Sequence, residues 1–503
     1  MRCNSIYKKF SERPQSALKN KEEILISFLV NTSAKFSLSS RLIMSQKKVL
    51  LFLLSVFALT AILSFAIPEE GLTITLKFPT PQELLDAILP KKEPEEPQPD
   101  PAELLARAEA ARRDSLENER LLCYLQEDPA RIQFPDSDYA LFDALFESLD
   151  RGMDATTRII HYGDSQIEED RMSATLRELL QERFGGGGPG MLPLMKNFTV
   201  TTTTQATGSA SHYSAYYFGG GSRADGRYGP LGRSSRLNSD CIFSVTPASG
   251  AGAQSQCYNR LTVVTDPPAK EFRIRCGDST LVARPAEGKQ VRFYTFPLPD
   301  SSSRAKVSIG AGAEVYGICL DREGGVSVDN AAMRGCSGTI FSRIEPQSLE
   351  DYYAAAEVKL IIYQFGGNMV PACTGRKGIS HYKELVVREL EYLSERAPGA
   401  RILFIGPSDM STNIRGTMDT YPQLPAMVDS LRCAAHECGA AYWDLYTAMG
   451  GKGSMARWVR ENPPLAGGDY IHFTRKGAET ASRLLYNSLM VSYDYYQYRK
   501  KHQ

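Results

Sequence analysis

Five short apolar runs, each separated from the next by longer and more polar sequence, constrain this chain most. They are Arg158–Tyr162, Val326–Ala331, Val358–Gln364, Arg401–Gly406 and Ala440–Leu445. Each is too brief for a core helix and reads as a strand covered on both faces. Amphipathic helical stretches lie among them, at His381–Glu395 and Ala426–Glu437, with a last helix starting near Thr474. Buried strands alternating with helices predict an α/β fold with a doubly wound, parallel, flavodoxin-like sheet in three layers.

One gap breaks the rhythm. A helix with apolar residues Met172, Leu176, Leu179, Leu180 and Phe184 runs into Gly185–Gly190, and no helical pattern follows until Val326. The interval holds short β-type runs (TVTTTT, SAYYF, CIFSV, RLTVV, FRIRC, VRFYTF, KVSIG) divided by Gly, Ser, Pro and Asp. That pattern predicts an inserted all-β domain of jelly-roll type. Its aromatic residues Tyr213, Tyr216, Tyr217, Phe218, Tyr258 and Tyr294 either stack on sugar rings or, for most of them, fill the sandwich core. The glycine run lacks a following Lys-Ser/Thr and is not a phosphate loop.

The expected organisation follows. Residues 1–43 are a doubtful leader or a basic cytoplasmic tail, with Met44 the expected start. Residues 44–67 contain the uncharged run Val49–Ile67 behind Lys47 and Lys48, long enough to act as a signal anchor that spans the inner membrane. A signal peptide cleaved after Ser64-Phe65-Ala66 is the rival. Residues 68–101 form a Pro/Glu-rich linker and 102–153 a helical lead-in. The catalytic domain occupies 154–195 and 325–490, the β-sandwich 196–324, and a tail 491–503. This order places the body outside the cytoplasm, in a periplasmic cell-envelope setting.

Lys plus Arg and Asp plus Glu each number 58, and no basic stripe with interleaved aromatics occurs, which argues against a nucleic-acid partner. Ten cysteines are present without CxxC spacing or a Cys/His cluster, so no zinc site is expected. Cys241, Cys257, Cys276 and Cys319 are either disulfide-bonded or buried free thiols.

Three motifs carry the chemistry. Gly163-Asp164-Ser165 follows the first strand, Gly366-Gly367-Asn368 ends the third, and Asp469-Tyr470-Ile471-His472 lies near the C-terminus. A serine hydroxyl needs a base, the base needs an orienting carboxylate, and a tetrahedral intermediate needs donors for its oxyanion. Ser165, His472 and Asp469 supply the first three roles. Ser165 N–H at a helix start, Gly335 N–H after the second strand and the Asn368 amide supply the donors. Each has a plain structural alternative: a loop-to-helix junction for Asp469-x-x-His472, a turn for Gly335, a cap for Asn368. A second Gly-Asp-Ser, Gly277–Ser279, sits between alternating flanks and reads as a hairpin turn, so Ser279 is not the nucleophile.

Four blocks in this order, at Ser165, Gly335, Asn368 and His472, resemble the GDSL or SGNH hydrolase superfamily over 154–190 and 326–490. The resemblance implies a flavodoxin-like three-layer fold and an ester hydrolase whose serine, glycine, asparagine and histidine carry the chemistry, with the aspartate as third triad member. Met369 departs from the acidic residue usual after the asparagine. The long insert is similar to that of peptidoglycan O-acetylesterases, which carry a carbohydrate-binding-like β-domain at this place. The expected activity is therefore removal of acyl groups, acetyl foremost, from an extracytoplasmic glycan, with no metal or organic cofactor. An O-acyltransferase and an inactive glycan-binding protein are the rivals. Oligomeric state is not indicated.

Overall fold

The computed structural model describes residues 50–60, 62, 80, 101–194, 199–200, 204–207, 211–214 and 222–502. The chain divides into a unit Met1–Gln98 and a unit Pro99–Gln503. In the first, residues 50–60 and 62 are helical. The rest of the expected anchor, residues 1–43, and the linker apart from residues 80 and 101 lie outside the described residues. Among the described residues no helix is long and apolar enough to cross a membrane.

The second unit is built on one six-stranded sheet. Its strands are β1 (Ile132–Gln133), β2 (Thr156–Gly163), β3 (Gly325–Ala332), β4 (Val358–Gln364), β5 (Arg401–Ile405) and β6 (Ala441–Trp443). Spatial order is β1-β6-β5-β4-β2-β3. All neighbours are parallel except β1, which pairs antiparallel to β6 through Ile132↔Trp443 and Gln133↔Tyr442. The five parallel strands follow the flavodoxin-like order, which reverses direction between β2 and β4.

Strand alternation sorts side chains to two faces. Ile160, Ile361, Tyr363 and Phe404 meet α4 (Pro346–Ala355), α5 (Gly375–Arg396) and α6 (Leu424–Glu437) on one side. Ile159, Leu360, Ile362 and Trp443 meet α1 (Pro101–Glu127), α2 (Asp143–Asp150), α3 (Ser173–Phe184) and α7 (Arg475–His502) on the other. The result is three layers, α/β/α, with both strand faces buried as the continuous apolar runs require.

Two boundaries differ from expectation. The lead-in 102–153 is not only helical, because it donates β1 to the sheet. Trp443 Nε1 also donates to the Ala130 carbonyl at 2.7 Å. Residues 491–502 are not a tail but the end of α7, held because Tyr493 and Tyr496 pack their rings on Phe146.

Between α3 and β3 the chain forms two further sheets, antiparallel throughout, around their own core of Phe243, Val263, Ile274, Val307 and Ile318. Gly190–Leu192 pairs with the last strand, Glu314–Asp321, so this sandwich begins and ends at adjacent positions. Tyr258 is buried in that core and Tyr294 packs against it, as core residues and not as an exposed platform. Tyr216, Tyr217 and Phe218, and the Tyr213 side chain, lie outside the described residues. Phe272–Cys276 and Ser279–Ala283 form a hairpin with Cys276 opposite Ser279, turning on Gly277 (φ +56°) and Asp278. Nine cysteines are described, including Cys241, Cys257, Cys276 and Cys319, and no two of them form a disulfide.

Candidate active site

β2 delivers Ser165 to the carboxyl edge of the sheet, at the strand-order reversal where open α/β sheets bind ligands. Gly163 ends the strand with no room for a side chain, since a Cβ there would stand 2.9 Å from Ile167 and 3.2 Å from the Gln364 carbonyl. The helix start expected at Ser165 is displaced. A 3-10 turn (Glu168–Asp170) intervenes, and α3 begins only at Ser173. Glu169 and Asp170 adopt φ +60° and +64°, and Asp170 turns inward onto the fully buried Arg177 guanidinium, with N–O distances of 2.7 and 2.9 Å. Arg177 Nε donates to the Val328 carbonyl at 2.7 Å, clamping the loop to β3.

His472 Nε2 lies 2.8 Å from Ser165 Oγ, and His472 Nδ1 lies 2.7 Å from Asp469 Oδ2. A carboxylate can only accept, so Nδ1 carries the proton and the Nε2 lone pair faces the serine hydroxyl. Asp469 Oδ1 accepts the Ile471 and His472 N–H groups at 3.0 and 3.1 Å. Burial pulls the Asp469 carboxyl upward, but the His472 ring and these two N–H groups outweigh it and hold the acid below its ordinary value. Ionised Asp469 is thus matched to an imidazolium forming beside it.

Ser165 and His472 open on a cavity of about 330 Å³, lined by these two and by Arg334, Gly335, Gln364, Phe365, Asn368, Pro371, Pro407, Met410 and Ile471 among others. Gly335 occupies the left-handed region at φ +75°, which presents its backbone to the cavity without side-chain obstruction. Among the described residues neither the Ser165 nor the Gly335 N–H has a hydrogen-bond partner, leaving both available to an anion. Asn368 is placed differently from expectation. Its side-chain amide donates to Asp164 Oδ2 (3.1 Å) and to the Cys336 carbonyl (2.9 Å), so one of these bonds must be exchanged before it serves an oxyanion. The fold therefore brings Ser165, Gly335, Asn368 and His472 to one cavity, with Asn368 poised and not free, and sets Asp469 behind the His472 ring, outside the cavity lining. Ser279 is exposed in the distant sandwich.

Buried polar groups beneath the cavity went unread in the sequence. Burial raises Asp164 to about 6, against the hydrogen bond from Gln166 N–H. His161 Nε2 meets Gln364 Oε1 at 2.8 Å and its Nδ1 meets Ser173 Oγ at 2.9 Å. An amide oxygen only accepts, so His161 is the neutral Nε2–H tautomer, and burial lowers it to about 4. The Cys336 thiol beside Gly335 is pushed up to about 12 by burial and is no competing nucleophile.

No family profile and no curated protein match the chain. Among solved structures, one described as a peptidoglycan O-acetylesterase in action aligns over 71% of this chain and 97% of its own, at 22% identity and a TM-score of 0.58. The chain shares the fold of that structure. Overlays on an acetyl xylan esterase (13% identity, 33% of this chain and 81% of that one, TM-score 0.26) are partial and carry no weight. The same holds for the periplasmic domain of a lipopolysaccharide acetyltransferase from Salmonella ser. Paratyphi A (11% identity, 33% and 73%, TM-score 0.24). The overlay with the O-acetylesterase spans nearly the whole of that chain, so the likeness extends beyond the parallel sheet alone.

Proposed function

We propose that this chain is a serine esterase that removes acetyl groups from hydroxyls of an extracytoplasmic glycan such as O-acetylated peptidoglycan. One observation carries the reading: the Ser165–His472–Asp469 chain of hydrogen bonds opens directly on a cavity that also presents two unpartnered backbone N–H groups. Ser165 Oγ attacks the ester carbonyl while His472 Nε2 takes its proton and Asp469 stabilises the imidazolium. The oxyanion is received by the Ser165 and Gly335 N–H groups, with Asn368 joining as its amide is released from Asp164 or Cys336. Collapse of the intermediate transfers the His472 proton to the leaving sugar oxygen and leaves an acetyl-serine. Water, activated by His472, then restores the serine.

The His472 side chain is 35% exposed, which leaves water an approach to the acyl-enzyme, as hydrolysis requires. The O-acetylesterase likeness supports the glycan, and the apolar run Val49–Ile67 supports an anchored, extracytoplasmic body. The test compares the wild type with Ser165→Ala on 4-nitrophenyl acetate and butyrate, then on O-acetylated peptidoglycan with released acetate measured. Serine-dependent turnover that prefers acetate is expected. Equal inertness of the two proteins on every ester would remove the esterase reading.

A further inference from the structure

Gln166, the residue after the nucleophile, is buried and its side chain reaches the loop that carries the base. Its Nε2 donates to the Ile471 carbonyl at 2.6 Å and to Ser408 Oγ at 3.2 Å, and its Oε1 accepts the Phe473 N–H at 3.3 Å. The amide therefore grips the backbone immediately before and immediately after His472, as a neighbouring strand would. Its own N–H is tied to Asp164 Oδ1 at 2.9 Å, so the residue is fixed at root and tip.

A closed ring results. Ser165 is bonded covalently to Gln166, Gln166 holds both flanks of His472, and His472 returns to Ser165 Oγ. Other contacts of the base loop do not close such a ring. Gly467 N–H donates to the His472 carbonyl within the loop, and Ser411 N–H donates to the Tyr470 carbonyl from the hairpin Ser411–Thr420. Arg171 approaches the Phe473 carbonyl only at 3.5 Å, too far to set a position.

We infer that Gln166 is a positioning residue that sets the separation of nucleophile and base, holding the pair at 2.8 Å before any substrate arrives. The inference rests on the serine-esterase reading. A methionine at 166 would fill the same space but leave the Ile471 carbonyl and Phe473 N–H without partners, and the loop bearing His472 would drift.

Gln166→Met and Gln166→Glu are compared with the wild type in three measurements. These are titration of reactive serines with a fluorophosphonate, the rate of that reaction per titrated site beside kcat and KM on 4-nitrophenyl acetate, and the downfield proton resonance of His472 Nδ1–H. His472→Gln assigns the resonance by its absence. Expected for Gln166→Met are an unchanged number of sites, a per-site rate and kcat lower by about 10²-fold with KM unaltered, and a broadened or lost resonance. Gln166→Glu keeps the acceptor for Phe473 N–H but sets a buried carboxylate oxygen against the Ile471 carbonyl, acceptor to acceptor, and its loss is expected to be at least as large. Fewer titratable sites that each react at the wild-type rate would mean a role in folding alone and overturn the inference. So would a wild-type rate and a sharp resonance in Gln166→Met. If the wild type itself fails to react at Ser165, the esterase reading falls, and the Nδ1–H resonance alone decides the role of Gln166.

Discussion

Replacing Asp164 by asparagine removes one of two opposed titrations buried beneath the cavity. Folded Asp164 keeps its proton to about pH 6, whereas the unfolded carboxyl releases it near 3.8. Between these values the folded state binds more protons, so stability falls as pH rises, by about 3 kcal/mol in total at about 1.4 kcal/mol per tenfold change in acidity. His161 acts in the opposite sense. The unfolded imidazole takes up its proton near 6.5 but the folded one only near 4, so stability rises with pH across that window, again by about 3 kcal/mol. Both groups are fully buried, and solvent screening offers little discount. In the wild type these two slopes largely offset, so the pair together adds little pH dependence between pH 4 and 6.5. In Asp164→Asn the His161 slope stands alone. The new amide also faces the Asn368 amide donor to donor, costing about 1 kcal/mol at every pH. Relative to the wild type, the variant should lose about 1 kcal/mol below pH 4 and gain about 2 kcal/mol above pH 6. Urea unfolding followed by tryptophan fluorescence reads this directly, because Trp443 and Trp458 both lie in the core on the α7 side of the sheet and not in the sandwich. A wild type that already climbs steeply between pH 4 and 6.5, in parallel with the variant, would refute the argument.

Asn368→Ala should lower turnover of 4-nitrophenyl acetate by about 10²–10³-fold if Asn368 becomes an oxyanion donor, and a normal rate would remove it from that role. Arg177→Met leaves Asp170 as a buried carboxylate without its guanidinium, and should cost about 3–5 kcal/mol in urea unfolding, with the loop after Ser165 the first segment to gain hydrogen exchange. Ser279→Ala alters an exposed strand residue in the sandwich and should leave ester hydrolysis at the wild-type rate; a large loss would reverse the assignment of the two Gly-Asp-Ser copies.

The parallel sheet was legible because burial on both faces leaves uninterrupted apolar runs, and the structure moves their ends by only one or two residues. The motifs around Ser165, Asn368 and His472 were legible because a strand end followed by small residues marks the functional edge of such a sheet. β1 was not, being two residues long and stable only through pairing with Ala441–Trp443. The last turns of α7 escaped notice because their tyrosines find their partners, Phe146 and Phe184, far back in the chain. The loop before α3 was hidden for a similar reason: Asp170 looks like an ordinary acidic helix start until Arg177 draws it inward. Gln166 had no local signature, since the groups it grips lie 305 and 307 residues away.

The antiparallel pairing of Gly190–Leu192 with Ile318–Leu320 has a consequence for how the chain reaches its native state. β2 and β3 are neighbours in the parallel sheet, yet the whole sandwich lies between them. A flexible connection of that length would charge its loop-closure entropy to the β2–β3 pairing. Once the sandwich has folded, its two ends are already side by side, and the sheet sees a tether no longer than α3 and its flanking turns. The domain that interrupts the sequence thereby shortens the search that joins its halves.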